Sequence, residues 1–260
     1  MQVDDRGDYA TPAVAMTEEQ KFFFDLRGWI LLPAVLTDEQ EIEEMKAEVY
    51  GGAKQSYGPA LQRLLDHPAI VGVLSEILAE EPFVRDECYG FRCEGSFTTV
   101  RPPGWDTSER SDNGMPHVVR PPQQANAMRY QVAGGKIFSG LTRVVWELNG
   151  VEEGKGGTEF IPGSHKSNYR KKLPLFDGRD SGVWESYGCP AGSLLIFSEA
   201  VRHASCPWES ETPRMALFFA YNHINVRHHK PSFSEEMLAS LTPERRRFFN
   251  DVYHPQFDRW

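Results

Sequence analysis

The stretch PAGSLLIFSEAVRHASCPWESETPRMALFFAYNH, residues 190–223, sets one histidine and one arginine against two apolar runs. His203 stands at the rim of the first run, and Arg214, eleven residues on, opens the second. A buried hairpin needs neither residue. Imidazole is the commonest side-chain metal ligand, and the planar fork of a guanidinium matches a carboxylate with two parallel hydrogen bonds. The two residue types, carried on strands joined by the turn ESETP, suit a metal and an acidic co-substrate held side by side. Of the other histidines, His67 falls at a helix start, His228 and His229 in the basic corner VRHHK, which reads as exposed, and His254 in the C-terminal tail. His117, after the polar loop SDNGMP, and His165, in the turn PGSHKSN, are the remaining candidates.

The rest of the chain has to position these groups. Its 260 residues suffice for one large domain with a sizeable core. Hydrophobic residues make up 40% and charged residues 25%, a soluble globular balance. Lys and Arg number 28 against 37 Asp and Glu, a net charge of −9. That charge argues against nucleic acid or an anionic membrane as partner, so an anionic ligand would have to be met by a local arginine. The acidic N-terminus has no long apolar segment, and WILLPAVL is too short to span a bilayer, so a cytoplasmic protein is expected. Cys88, Cys93, Cys189 and Cys206 form no CxxC pair and no zinc-finger spacing; Cys88 and Cys93 read as free core thiols.

Residues 1–16 read as a disordered tail and 17–260 as one domain. Thr17 with Gln20, and Thr37 with Gln40, look like capping boxes that open two helices around a short strand. DHPAIVGVLSEILAE (66–80) has helical apolar spacing. From about residue 82, β-rich segments alternate with Gly- and Pro-rich corners: FVRDECYGFRCEGSFTTV, FSGLTRVVWEL, TEFIPG, SLLIFSE and RMALFFAYNH. One or two helices close the chain. The pattern predicts a mainly β protein with flanking helices around a double-stranded β-helix, a cupin-like jelly roll. GKGG (154–157) lacks the spacing of a phosphate loop and reads as a hairpin turn.

GGTEFIPGSHKSNY, then the GSLLIF strand, His203 and Arg214, resemble the phytanoyl-CoA dioxygenase family of iron(II)- and 2-oxoglutarate-dependent oxygenases. FFFDLRGWILLPAVLTDEQ resembles the family's opening helix and strand, and LASLTPERRRFF the tail of a bacterial branch, so the likeness spans nearly the whole chain. It implies a jelly-roll core, Fe(2+) and 2-oxoglutarate as cofactors, and a small-molecule substrate. It further implies His203 as an iron ligand, Arg214 as the clamp on the co-substrate's distal carboxylate, Ser205 as a hydrogen-bond partner of that co-substrate, and Trp146, in TRVVWELNGV, as a wall of the same pocket. The segment holding His165 is a structural turn in this family. Arg92, Arg129 and Tyr130 are further candidates for the pocket.

The likeness breaks at one point. The family supplies its other two ligands as His, any residue, then Asp. The best-placed histidine is His117, and two residues on stands Val119, which binds no metal. Three readings stay open. Glu199, four residues before His203, supplies the carboxylate; or the position is left open for a halide, as in related iron halogenases; or the chain is a non-catalytic binding module on an oxygenase fold. The first is the expectation adopted here, an oxygenase hydroxylating a small organic molecule.

Overall fold

The computed structural model describes residues 12–51, 57–80, 83–106, 127–166, 182–230 and 233–252. Helix α1 (Glu18–Arg27) opens with the expected capping box: Gln20 N–H donates to Thr17 Oγ1 at 3.1 Å, and Thr17 N–H to Gln20 Oε1 at 2.9 Å. The chain leaves α1 through Gly28, at φ 85°, a left-handed conformation that glycine adopts without cost. It then enters strand β1 (Trp29–Leu32). The second helix, α2 (Glu39–Tyr50), is capped by Asp38 and not by Thr37. The Asp38 carboxylate accepts from the N–H groups of Gln40 and Glu41, and its negative charge suits a helix N-terminus better than a hydroxyl does. A one-turn helix α3 (Pro59–Gln62) and helix α4 (Pro68–Ile77) complete the N-terminal layer. Within the expected 66–80 the helix is shorter because Pro68 fixes its start, with the ring Nδ1 of His67 accepting from Ala69 N–H. Residues 12–16, expected to belong to a disordered tail, lie against α4. Val14 N–H donates to Pro68 O, Met16 is buried, and the Val14 backbone fills the space that a side chain at Gly72 would need.

The remaining elements are mainly strands: β2 (Val84–Arg85), β3 (Cys88–Tyr89), β4 (Phe91–Arg101), β5 (Gln131–Ala133), β6 (Lys136–Phe138), β7 (Thr142–Glu147), β8 (Thr158–Ile161), β9 (Ser193–Ser198), β10 (Arg202–Ser205) and β11 (Arg214–His223). The helices α5 (Glu235–Ser240) and α6 (Pro243–Arg246) follow. Five strands form one antiparallel sheet in the order β1-β9-β7-β11-β4, while β10 and β8 pair in a small antiparallel sheet of their own.

The large sheet is covered on both faces, which explains why β9 and β11 read as unbroken apolar runs rather than alternating ones. One face, with Val144, Trp146, Leu194, Ile196, Met215, Leu217 and Phe219, packs in one cluster with Leu61, Leu64, Ile70, Val73 and Leu74 of the helical layer. The other, with Val145, Leu195, Phe197, Ala216 and Phe218, packs against Trp29, Phe160, Val201 and Trp208. Each Val, Leu, Ile, Phe or Met side chain among them contributes about 1.5–3 kcal/mol on burial. The register of β11 on β4 shifts between Ala220 and Tyr221, passing over Glu94. The carboxylate of this extra residue accepts from the N–H groups of His228 and His229. The corner VRHHK, expected to be exposed, is thereby fastened to the sheet, and both histidines are half-buried. All four cysteines are free, with Cys88 and Cys93 buried as expected. No described helix is long and apolar enough to cross a membrane.

Candidate functional site

Strand β10 carries His203 and Ser205, opposite Phe160 and Thr158 of β8. Residues two apart on a strand share a face, so the two side chains sit about 7 Å apart along it. The His203 ring packs against Phe197 at 4.8 Å between centroids, and its Nδ1 lies 2.8 Å from Val201 O. A carbonyl only accepts, so Nδ1 carries a proton, and Nε2 is the ring nitrogen left to meet another group. Nε2 faces Glu199, whose Oε2 is 3.7 Å away. Glu199 is buried at the turn between β9 and β10, and its Oε1 is ion-paired with Arg143 of β7. The structure therefore brings His203 and Glu199 together. His117 and Val119 lie outside the described residues, among which no group of three His, Cys, Asp or Glu stands ready to hold a metal.

At the other end of the β10 face is a cluster of charge. Arg214, wholly buried at the start of β11, pairs with Glu147 at the end of β7 through Nε (3.2 Å) and Nη2. Tyr187 Oη donates to Glu147 Oε1 at 2.7 Å, and Arg214 Nη2 reaches the Tyr187 oxygen at 3.2 Å. Burial works against the Arg214 charge, but the Glu147 carboxylate outweighs it and holds the guanidinium protonated. Beside Arg214 in register stands Arg101, the last residue of β4. Its Nη2 donates to Ser205 Oγ at 2.9 Å, and its guanidinium lies over the Trp105 ring at 4.0 Å. Burial, followed by repulsion from Arg214, pushes the Arg101 pKa down to about 10. Nη1 of Arg101 and Nη1 of Arg214 are both buried without a hydrogen-bond partner among the described residues.

Between the two ends, Phe97 stacks on Phe218 at 4.5 Å, with Arg143 over the first ring and Arg214 over the second. Phe97 is 43% exposed, so this aromatic wall is left partly open.

Trp146 is not part of this constellation. Arg143 and Glu147 alternate with it along β7, and it lies wholly buried on the helical face, edge-on to His67 at 5.0 Å. His165 is held as a structural residue: its Nε2 lies 3.0 Å from Asp25 O, the ring is edge-on to Tyr130, and Gly28 leaves the space it occupies. Tyr130 donates to Asp25, and Arg92 Nε donates to Asn250 O. Arg129 lines a cavity of about 560 Å³ with Glu80, Asn222 and His223. Sequence reasoning passed over Arg101, Glu147 and Tyr187. The one signal for them was the acid of VVWEL, a charge at the end of an apolar run.

A sequence profile of the phytanoyl-CoA dioxygenase (PhyH) family matches residues 57–216. The chain belongs to that family. Solved structures share its fold at low identity. HygX from Streptomyces hygroscopicus with iron bound superposes with a TM-score of 0.63 at 18% identity, covering 81% of this chain and 88% of that one. HygX with nickel and 2-oxoglutarate gives 0.62 at 19%, covering 80% and 87%. The non-heme alpha-ketoglutarate-dependent carbocyclase SnoK from nogalamycin biosynthesis gives 0.56 at 17%, covering 90% and 95%. No curated protein matches the chain.

Proposed function

We propose that this protein is an iron(II)- and 2-oxoglutarate-dependent oxygenase acting on a small organic molecule, built as a single jelly-roll domain over residues 17–260 and working in the cytoplasm. One observation carries the reading: the face of β10 has an imidazole beside a carboxylate at one end, and at the other two guanidiniums stand together with a single carboxylate, Glu147, which is paired to Arg214. The surplus cation, with two buried Nη1 groups, suits an anion, and the strand spacing suits a short dicarboxylate reaching from one end to the other.

The residues present fit the cofactors. His203, with its proton held at Nδ1 by Val201 O, offers Nε2 to a metal; Glu199 adds a carboxylate oriented by Arg143; His117 is the expected second imidazole. Ferrous iron bound there with 2-oxoglutarate supplies the dioxygen activation that oxidation of an unreactive C–H bond requires. The chain itself orients the co-substrate through Arg214 Nη1 and Ser205 Oγ, and limits water with the Phe97 and Phe218 rings. Trp146 has no place in this site. HygX has been solved with hygromycin B, and the epimerase SnoN, another protein of similar fold, with nogalamycin RO, so the fold accommodates small organic molecules.

A second reading, a carboxylate-binding module without iron, is favoured by the Arg143–Glu199 ion pair, which already engages the proposed ligand. An anaerobic ferrous titration separates the two, combined with succinate release from 2-oxoglutarate. The oxygenase binds iron, loses at least about 10–100-fold in affinity on His203→Ala or Glu199→Ala, and keeps it on His165→Ala. Wild-type protein that binds 2-oxoglutarate but neither iron nor turnover would establish the binding module.

A further inference from the structure

Arg214 is the clamp the family likeness points to, yet in this chain its Nε and Nη2 are both committed to Glu147. Tyr187 adds a further hydrogen bond to the same carboxylate, so Arg214 and Glu147 form a nearly self-contained pair. Arg101 differs. It makes no ion pair among the described residues, its Nη1 is buried and unpartnered, and its Nη2 already holds Ser205, the hydroxyl expected to touch the co-substrate. Its register opposite Arg214 sets both guanidiniums on the same sheet face. Two like charges side by side repel, and a buried donor without a partner is costly, so the arrangement is stabilised when an anion fills it.

We propose that Arg101 is a second co-substrate-binding residue, which meets the distal carboxylate of the 2-oxo acid together with Arg214 Nη1 and supplies the charge that Glu147 neutralises on Arg214. The inference rests on the function proposed above and adds to it: the acid-binding end spans β4 and β11, and selectivity for a dicarboxylate over a monocarboxylic 2-oxo acid depends on Arg101. The depressed Arg101 pKa agrees, since an adjacent carboxylate would restore it toward the ordinary value.

The test is calorimetric titration of the anaerobic ferrous protein with 2-oxoglutarate and with 2-oxopentanoate, which keeps the chelating end and lacks the distal carboxylate. Arg101→Gln is expected to weaken 2-oxoglutarate about 10–100-fold and to leave 2-oxopentanoate unchanged. Arg101→Lys, which keeps the charge and guards against a misfolded glutamine variant, is expected to recover part of the loss. Unchanged 2-oxoglutarate affinity in Arg101→Gln, with loss in Arg214→Gln, would overturn the role of Arg101 and leave the oxygenase reading standing. Equal weakening of both acids would also overturn it, by showing a structural effect. Wild-type protein that binds neither acid would remove the proposed function and this inference together.

Discussion

Glu147 carries more than its position suggests. It is wholly buried, and both of its oxygens are committed to Arg214 and Tyr187. Replacing it as Glu147→Gln keeps the shape but leaves the Arg214 charge buried without a counterion. Breaking a buried pair from one side costs about 3–5 kcal/mol, which urea unfolding of the variant should show as a lower midpoint. The same variant frees Arg214 Nε and Nη2, so the folded fraction should hold 2-oxoglutarate at least as tightly as wild type. A weaker complex would mean that Glu147 orients Arg214 for the ligand rather than competing with it. At this scale the sequence is half legible. Arg214 stands out as a charge opening an apolar strand, whereas its partner lies 67 residues away and only the sheet order brings them together. Arg101 is hidden for a like reason, ending a strand whose neighbour in space is far along the chain.

Among the elements, α4 carries its own pH sensor. His67 caps the helix with Nδ1, and burial pushes its pKa down to about 4; burial, and then the nearby Lys166, does the same to His165, to about 4. Both rings are neutral in the folded protein, while the unfolded chain takes up protons below about 6.5. Neither affects stability above that pH. As pH falls from about 6.5 toward about 4, each destabilises the fold by up to about 1.4 kcal/mol per pH unit. His67→Asn keeps an acceptor for Ala69 N–H and removes one titration. Its unfolding free energy should therefore fall less steeply between pH 6.5 and 4.5 than that of wild type; parallel slopes would show that the ring does not titrate as described. Element existence was legible from local signals, as with the Thr17–Gln20 box. The choice of Asp38 over Thr37 was not, because both offer an acceptor and the charge on the helix end decides. The side on which Trp146 falls was illegible too, because a strand buried on both faces loses the alternation that marks inside from outside.

For the molecule as a whole, the net charge of −9 opposes the approach of a dianion, and the arginine pair must overcome it locally. Salt acts unequally on the two. The screening length falls from about 30 Å at 0.01 M to about 8 Å at 0.15 M, which weakens the repulsion from distant surface carboxylates but barely touches buried guanidiniums in contact with the ligand. Binding of 2-oxoglutarate should therefore stay level or tighten as sodium chloride rises over that range. A steep loss of affinity with salt would place the anion at an exposed surface instead of in the interior.

The small sheet has a mechanical consequence. Among the described residues, strands β8 and β10 hydrogen-bond to each other over four residues each, with one further bridge from Phe160 to Glu185, and pack on the large sheet through side chains. With few backbone hydrogen bonds of its own, the pair depends on side-chain packing to hold its place. His203 and Ser205 ride on this pair, while Arg101, Arg143 and Arg214 stand on the wall behind it. A ligand gripped from both sides acts as a rivet through the two plates. Amide exchange in β8 and β10 should slow on adding iron and co-substrate far more than in β7 or β9, so that filling the site and fastening the molecule are one event.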